Sequence, residues 1–245
     1  MGNSQKSEFC LKSELLQEIP NVFHGFGCRL GPRGVLGELA AVRQLLGIPA
    51  SNPLAPGLIQ QEHGVEIATV VSPIAIDLPK ADGAVTEEPS IYIGVRTADC
   101  LPVLVAGKHG NAVGVAHSGW KGTLDGIAKK LVQTFWKEFG VAASDLIVSI
   151  GPAIGACCYQ VSAERIALFL ERYPELRPEI TGWQGCLDLG RIVQHQLELC
   201  GVPSAQIEQI DLCTECHPEL LFSFRRGDVA PARQFSAIAI SRIVD

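Results

Sequence analysis

The apolar positions between residues 101 and 139 change period once, and the change marks the centre of the chain. Residues 101–106 and 112–116 are short continuous apolar runs rich in β-branched side chains, and Lys108, His109, Gly110 and Asn111 between them carry turn chemistry. This predicts two buried strands paired as a hairpin. Beyond them the spacing becomes three and four, through Leu124, Ile127, Ala128, Leu131, Val132, Phe135 and Phe139. That is one face of an amphipathic helix, with Thr123 in place to cap its start.

The remaining pattern alternates in the same way. Strands are predicted over 22–26, 65–71, 91–95, 146–150, 207–212 and 236–243, a turn into a short strand over 81–85, and helices over 35–46, 162–173 and 188–200. Gly47 stops the first of these helices, Ser162 caps the second, and Gly201 with Pro203 ends the third. Residues 51–57 and 174–186 read as irregular. Without repeats, low-complexity tracts or a linker, residues 1–245 are expected to form one α+β domain with mixed β-sheets flanked by helices.

Composition adds exclusions. With 47% hydrophobic and 19% charged residues the chain can bury a sizeable core. A net charge of -6, with no basic block longer than Arg225 and Arg226, argues against nucleic acid as a partner and for a small molecule. No apolar run reaches membrane-spanning length and the N-terminal segment has no signal-peptide core, so a cytoplasmic protein with no membrane partner is expected. The nine cysteines are then better read as reduced thiols or metal ligands than as a disulfide framework. Cys213 and Cys216 have C-x-x-C spacing, but no second such pair matches it, and the reading is a loop or buried structural role.

Candidate chemistry sits at the strand ends. Antiparallel pairing of the central strands would bring Cys100, just before the first, and His117, just after the second, to one sheet edge. His24 and His63 also lie beside glycines where strands end, whereas His109, His195 and His217 read as turn or surface residues. Asp99 is either a turn residue capping backbone N–H groups or a group that orients a ligand or moves a proton. Ser118, Gly119 and Gly122 form a permissive turn before the central helix; its free N–H groups, with Lys121 beside them, can attract an anion, or the glycines serve geometry alone.

Six stretches, 61–64 (Q-E-H-G), 81–86, 97–104 (beginning T-A-D-C-L-P), 116–123 (A-H-S-G-W-K-G-T), 150–161 and 213–226, together resemble the bacterial YfiH family. That family has been labelled multicopper polyphenol oxidase or laccase domain, and now peptidoglycan editing factor or purine nucleoside phosphorylase. The resemblance implies zinc as cofactor, with His63, Cys100 and His117 as ligands and an open fourth position. It further implies phosphorolysis of adenosine, inosine and 5′-methylthioadenosine, and deamination of adenosine. On that reading nucleoside and phosphate are the partners, Trp120 can stack on the purine, and Lys121, Arg225 or Arg226 can hold phosphate. Arg29 falls in a loose version of the family's Thr-, Arg- and Gly-rich loop, as a substrate contact. The alternatives are a metal-free cysteine hydrolase with Cys100 as nucleophile and His117 as base, a factor that binds peptidoglycan precursors, and a copper polyphenol oxidase.

Overall fold

A computed structural model describes residues 9–35, 37–176, 180–181, 185–228 and 232–241. The chain runs β1 (Cys10–Leu11), α1 (Glu14–Gln17), β2 (Val22–Gly27), α2 (Leu39–Leu46), β3 (Ala55–Gly57), β4 (Ile67–Thr69), β5 (Gly83–Thr86), β6 (Ile91–Thr97), β7 (Leu101–Gly107), β8 (Val113–Ser118), α3 (Trp120–Asp125), α4 (Ile127–Phe139), β9 (Leu146–Ile150), α5 (Ala163–Arg172), α6 (Leu189–Leu199), β10 (Ile207–Gln209) and β11 (Gln234–Ile240). One sheet has the order β1-β2-β11-β6-β3 and the other β10-β9-β7-β8-β5-β4. Each mixes parallel and antiparallel pairs, as expected of this α+β chain.

Side-chain alternation explains the layering. In β7, Leu101, Val103 and Val105 join an apolar cluster with Leu131 and Phe135 of α4 and Ile192 of α6, while Leu104 and Ala106 face a second cluster. That second cluster holds Phe26, Ile93 and Ile238 of the other sheet, so the two sheets pack face to face. Across β11, Phe235, Ala237 and Ala239 turn outward onto Val42, Leu45 and Leu46 of α2. The result is four layers: helix, sheet, sheet, helix. Burying each large apolar side chain contributes roughly 1.5–3 kcal/mol, so strands apolar on both faces belong inside this stack.

The predicted hairpin is present, with Pro102 opposite His117 and Leu101 opposite Ser118. The helix after it departs from expectation. It starts at Trp120 with Gly119 at the N-cap, and Thr123 is inside α3, where its hydroxyl donates to Gly119 O at 2.9 Å instead of capping. Gly126, at φ 85°, then breaks the apolar run into α3 and α4. The predicted helix over 35–46 begins only at Leu39, because Glu38 accepts from Arg33 N and Val35 N and holds a turn ahead of it; Leu36 lies outside the described residues. β10 stops at Gln209, short of the predicted 212, while β11 starts two residues earlier than predicted and positions 242–243 lie outside the described residues.

His24 is buried in β2, where Nε2 accepts the Ser13 N–H at 2.9 Å and Lys12 donates to the His24 carbonyl. Burial, with the Lys12 charge beside it, pushes its pKa down to about 3. The folded chain therefore holds His24 neutral, while the unfolded chain protonates it below about 6.5. Its contribution to stability is complete above that value and is lost as pH falls towards 3. The expected loss is on the order of 1.4 kcal/mol per pH unit. Urea midpoints at pH 7, 5 and 4 should show this slope, and His24→Gln, which keeps an acceptor for Ser13 N–H, should flatten it; an unchanged slope would reject the assignment.

Candidate functional site

Asp82, immediately before β5 and 1% exposed, organises one end of the central sheet. Its Oδ1 accepts from His63 N at 3.0 Å and pairs with His117 Nδ1 at 2.7 Å. Its Oδ2 accepts from Glu62 N at 3.0 Å and Gly64 N at 2.6 Å, and its carbonyl accepts from His117 N at 2.7 Å. One carboxylate thus fixes the loop that carries His63 and the ring of the histidine in β8. The loop needs this support, because His63 sits at φ 61°, a left-handed conformation costly for a residue with a side chain.

Cys100 completes the group. His63, Cys100 and His117 place their ligand atoms within 4.8 Å of one another, and the two rings meet edge to face with centroids 4.8 Å apart. Gly119 is what lets the three approach: a Cβ there would lie 3.2 Å from Cys100 Sγ, 3.3 Å from His63 Cδ2 and 3.8 Å from His117 Cε1. Burial pushes the Cys100 thiol up, but hydrogen bonds from His117 and His63 and their charges outweigh it, bringing the pKa down to about 7. Burial likewise disfavours the His117 imidazolium, yet Asp82 and Cys100 overcome it and hold His117 up to about 9. Asp82, which burial would raise, is brought to about 2 by His117 and the N–H groups of Gly64 and Glu62.

Two imidazoles and an acidified thiol around a glycine-made gap suit one first-row metal ion, and the pairing of His117 Nδ1 with a carboxylate is the support such a ligand needs. A cluster of copper ions would need more imidazoles. The chain has six histidines; His24 is bonded to Ser13, His195 to Glu175, His217 to Cys213 O, and His109 lies in the hairpin turn.

His63, Cys100 and His117 open onto a cleft of about 790 Å³. Asp99, at φ 88°, lines it with both carboxylate oxygens engaged: Oδ1 with Thr214 Oγ1 at 2.6 Å and Oδ2 with Arg225 N at 2.7 Å. Asp99 therefore ties the 213–226 segment to the strand edge. Trp120 lines the cleft under the Arg165 guanidinium, 4.1 Å from its ring centroid, and Tyr159 and Phe224 add aromatic walls. Arg225 also lines it, bonded to Gln160 O and 5.4 Å from the Tyr159 ring.

Three sequence candidates fall elsewhere. Lys121 is exposed and outside the lining, with its Nζ 5.7 Å from the centroid of the Trp120 ring. Arg226 spends its guanidinium on Thr214 O, Glu215 O, Leu221 O and Asp228. Arg29 pairs with Asp228 at 2.7 Å and lies over Phe222. The cationic lining comes instead from Arg33, Arg96, Arg165, Arg225 and Arg233, set against Asp99 as the carboxylate among the lining residues. In a chain of net charge -6 this concentrates positive potential in one concavity. Only Arg225 of the five was picked from sequence; the others come from separate segments with no shared motif.

Residues 28–241 match the family model for multi-copper polyphenol oxidoreductase laccase. Purine nucleoside phosphorylase YlmD of Geobacillus stearothermophilus is 34% identical over 191 residues, covering 73% of this chain and 70% of its own length. Purine nucleoside phosphorylase LACC1 of Mus musculus is 35% identical over 65% of this chain, and the match spans 38% of that longer relative. Adenosine deaminase RL5, from an unknown prokaryotic organism, is 29% identical over 83% of this chain and 81% of its own length. The crystal structure of Bacillus licheniformis hypothetical protein YfiH superposes with a TM-score of 0.80 at 27% identity, covering 96% of this chain and 98% of that one.

Proposed function

The chain belongs to the multi-copper polyphenol oxidoreductase laccase family, and from its site we propose that it is a zinc-dependent purine nucleoside enzyme, cleaving adenosine, inosine and 5′-methylthioadenosine with phosphate and deaminating adenosine. The observation that carries this reading is the His63–Cys100–His117 cluster opening onto a cleft whose other walls are arginines and aromatic rings. Relatives named for the two activities support it.

His63, Cys100 and His117 would hold the zinc, whose ordinary ligand distances of about 2.0–2.3 Å suit donors this close. When bound, zinc supplies Lewis acidity and brings the pKa of water towards neutrality. The chain's own groups do the rest. Asp82 keeps the His117 ring oriented and its Nδ1 occupied. Trp120, Tyr159 and Phe224 offer flat faces to a purine, and Thr97 Oγ1, buried in the cleft wall without a partner, offers a hydrogen bond. The arginines hold the phosphate dianion against the sugar and stabilise its charge.

Two reactions share this cleft but not their nucleophile. In deamination water displaces the adenine amino group, giving inosine and ammonia. In phosphorolysis phosphate takes the anomeric carbon, and the glycosidic pair leaves with the base, giving adenine and ribose 1-phosphate. Incubated with adenosine, the protein should form inosine without phosphate and adenine only with it. Arg225→Ala should slow phosphorolysis about 10- to 150-fold, the scale of losing a charged hydrogen bond of roughly 1.5–3 kcal/mol, and spare deamination. Equal loss of both activities would remove Arg225 from the phosphate site, and neither product from zinc-loaded protein would overturn the nucleoside reading.

A further inference from the structure

Four cysteines outside the cleft converge. Cys157 and Cys158 follow β9 in the turn that begins at Gly155; Cys213 and Cys216 sit in the turn that follows β10. Their sulfurs all lie within 4.8 Å of one another, with Cys158 to Cys216 at 3.4 Å and Cys157 to Cys216 at 3.7 Å. We propose that Cys157, Cys158, Cys213 and Cys216 bind a second zinc ion as a closed four-thiolate structural site, separate from His63, Cys100 and His117.

Geometry favours a metal over the other reasons cysteines meet. Tetrahedral zinc with bonds of about 2.3 Å holds its sulfurs roughly 3.8 Å apart, close to the spacings seen. A disulfide needs about 2.05 Å and joins only two of the four. Apolar packing does not account for the cluster either, since Cys157 and Cys216 are exposed and Cys158 is half-buried. Cys213, the buried member, accepts from Gly155 N at 3.3 Å, a bond that favours thiolate over thiol. Four thiolates on one zinc leave a net negative charge. Two guanidinium groups lie in the same loops to offset it: Arg225 reaches Gln160 O at 3.0 Å and Arg226 reaches Thr214 O at 2.7 Å and Glu215 O at 3.1 Å.

The C-x-x-C pair looks incomplete in sequence because its partners, Cys157 and Cys158, are adjacent residues more than fifty positions earlier. The fold supplies the match by pairing Ala153 with Cys213 across the two loops. One loop carries Ile154 and Tyr159 and the other leads to Arg225, all three in the cleft wall. The ion would therefore clip together two walls of the substrate site without touching it.

Stoichiometry tests the proposal. Reduced protein, stripped by a chelator, titrated with zinc and freed of excess, should retain two zinc ions per chain. Cys158→Ser combined with Cys216→Ser should retain one, and so should Cys100→Ala. In Cys100→Ala the remaining zinc should show an X-ray absorption shell of sulfur alone at about 2.3 Å. If the double variant fails to fold, as judged by circular dichroism, the Cys100→Ala measurement decides alone. No zinc in folded Cys100→Ala, a shell containing nitrogen in that variant, or a Cys158–Cys216 disulfide that persists through reduction would each overturn the second site. Two ions in the folded double variant would do the same.

Discussion

Cys100→Ala is expected to abolish both the phosphorolytic and the hydrolytic turnover of adenosine and to lower zinc content by one ion per chain. Cys100 is the anionic member of its donor set: hydrogen bonds from two histidines bring its thiol down to about 7, against a burial effect that would raise it. Alanine leaves two imidazoles and a gap beside Gly119, where the sulfur now packs within 3.2 Å of the position a Cβ would take. Losing one group aimed at developing charge commonly costs about 10²–10³ in rate, and losing the ion that depends on it should cost at least that. The variant should still fold, since Cys100 is only half-buried and lies at a strand edge. Activity at wild-type level in zinc-depleted Cys100→Ala would refute the metal site. Because a nucleophilic cysteine would also lose all activity on substitution, the same assay needs a companion. Zinc-loaded wild-type protein should resist alkylation at Cys100, whereas a metal-free hydrolase would be modified with or without zinc.

What sequence could and could not reveal follows from the range of the interactions. Strands β7 and β8 were legible because their apolar runs and intervening turn are local, and a register placing Cys100 beside His117 follows from antiparallel pairing. The break at Gly126 was not, because Leu124, Ile127 and Ala128 keep helical spacing across it and only the φ of 85° separates α3 from α4. Lys121 reads as an anion ligand by its place after a glycine turn; its ammonium lies over the Trp120 ring, beside the cleft lining and outside it. The arginine wall was illegible for a different reason. Its members are far apart in the chain, and only the stacking of two sheets and their loops brings them to one concavity. Asp82 is not legible as a site residue: beside Gly83 it reads as a turn residue, and of the charged residues within ten positions, Asp77, Lys80, Glu87 and Glu88, none belongs to the group it supports. Its four donors come from the 62–64 loop and from β8.

Those four donors make Asp82→Asn the sharper test of how the site is held. The carboxylate accepts three backbone N–H groups and His117 Nδ1, all in surroundings from which water is largely excluded. Asparagine has the same shape but turns one acceptor oxygen into an NH₂ group, which then faces either two N–H groups of the His63 loop or the His63 N–H and the His117 ring. Either orientation leaves buried donors opposed, a penalty of about 1–3 kcal/mol, and frees a loop that holds His63 in a left-handed conformation. Substituting a carboxylate that supports a ligand histidine typically lowers metal affinity 10- to 100-fold, and that is the expected change in zinc dissociation constant at 25 °C, measured by chelator competition on folded protein. A purely structural role would lower the unfolding temperature and leave the affinity of the folded molecule unchanged. Weaker zinc binding at the first site, restored activity at high zinc and an unaltered sulfur-only site in the same variant would together assign Asp82 as the residue that positions His63 and His117.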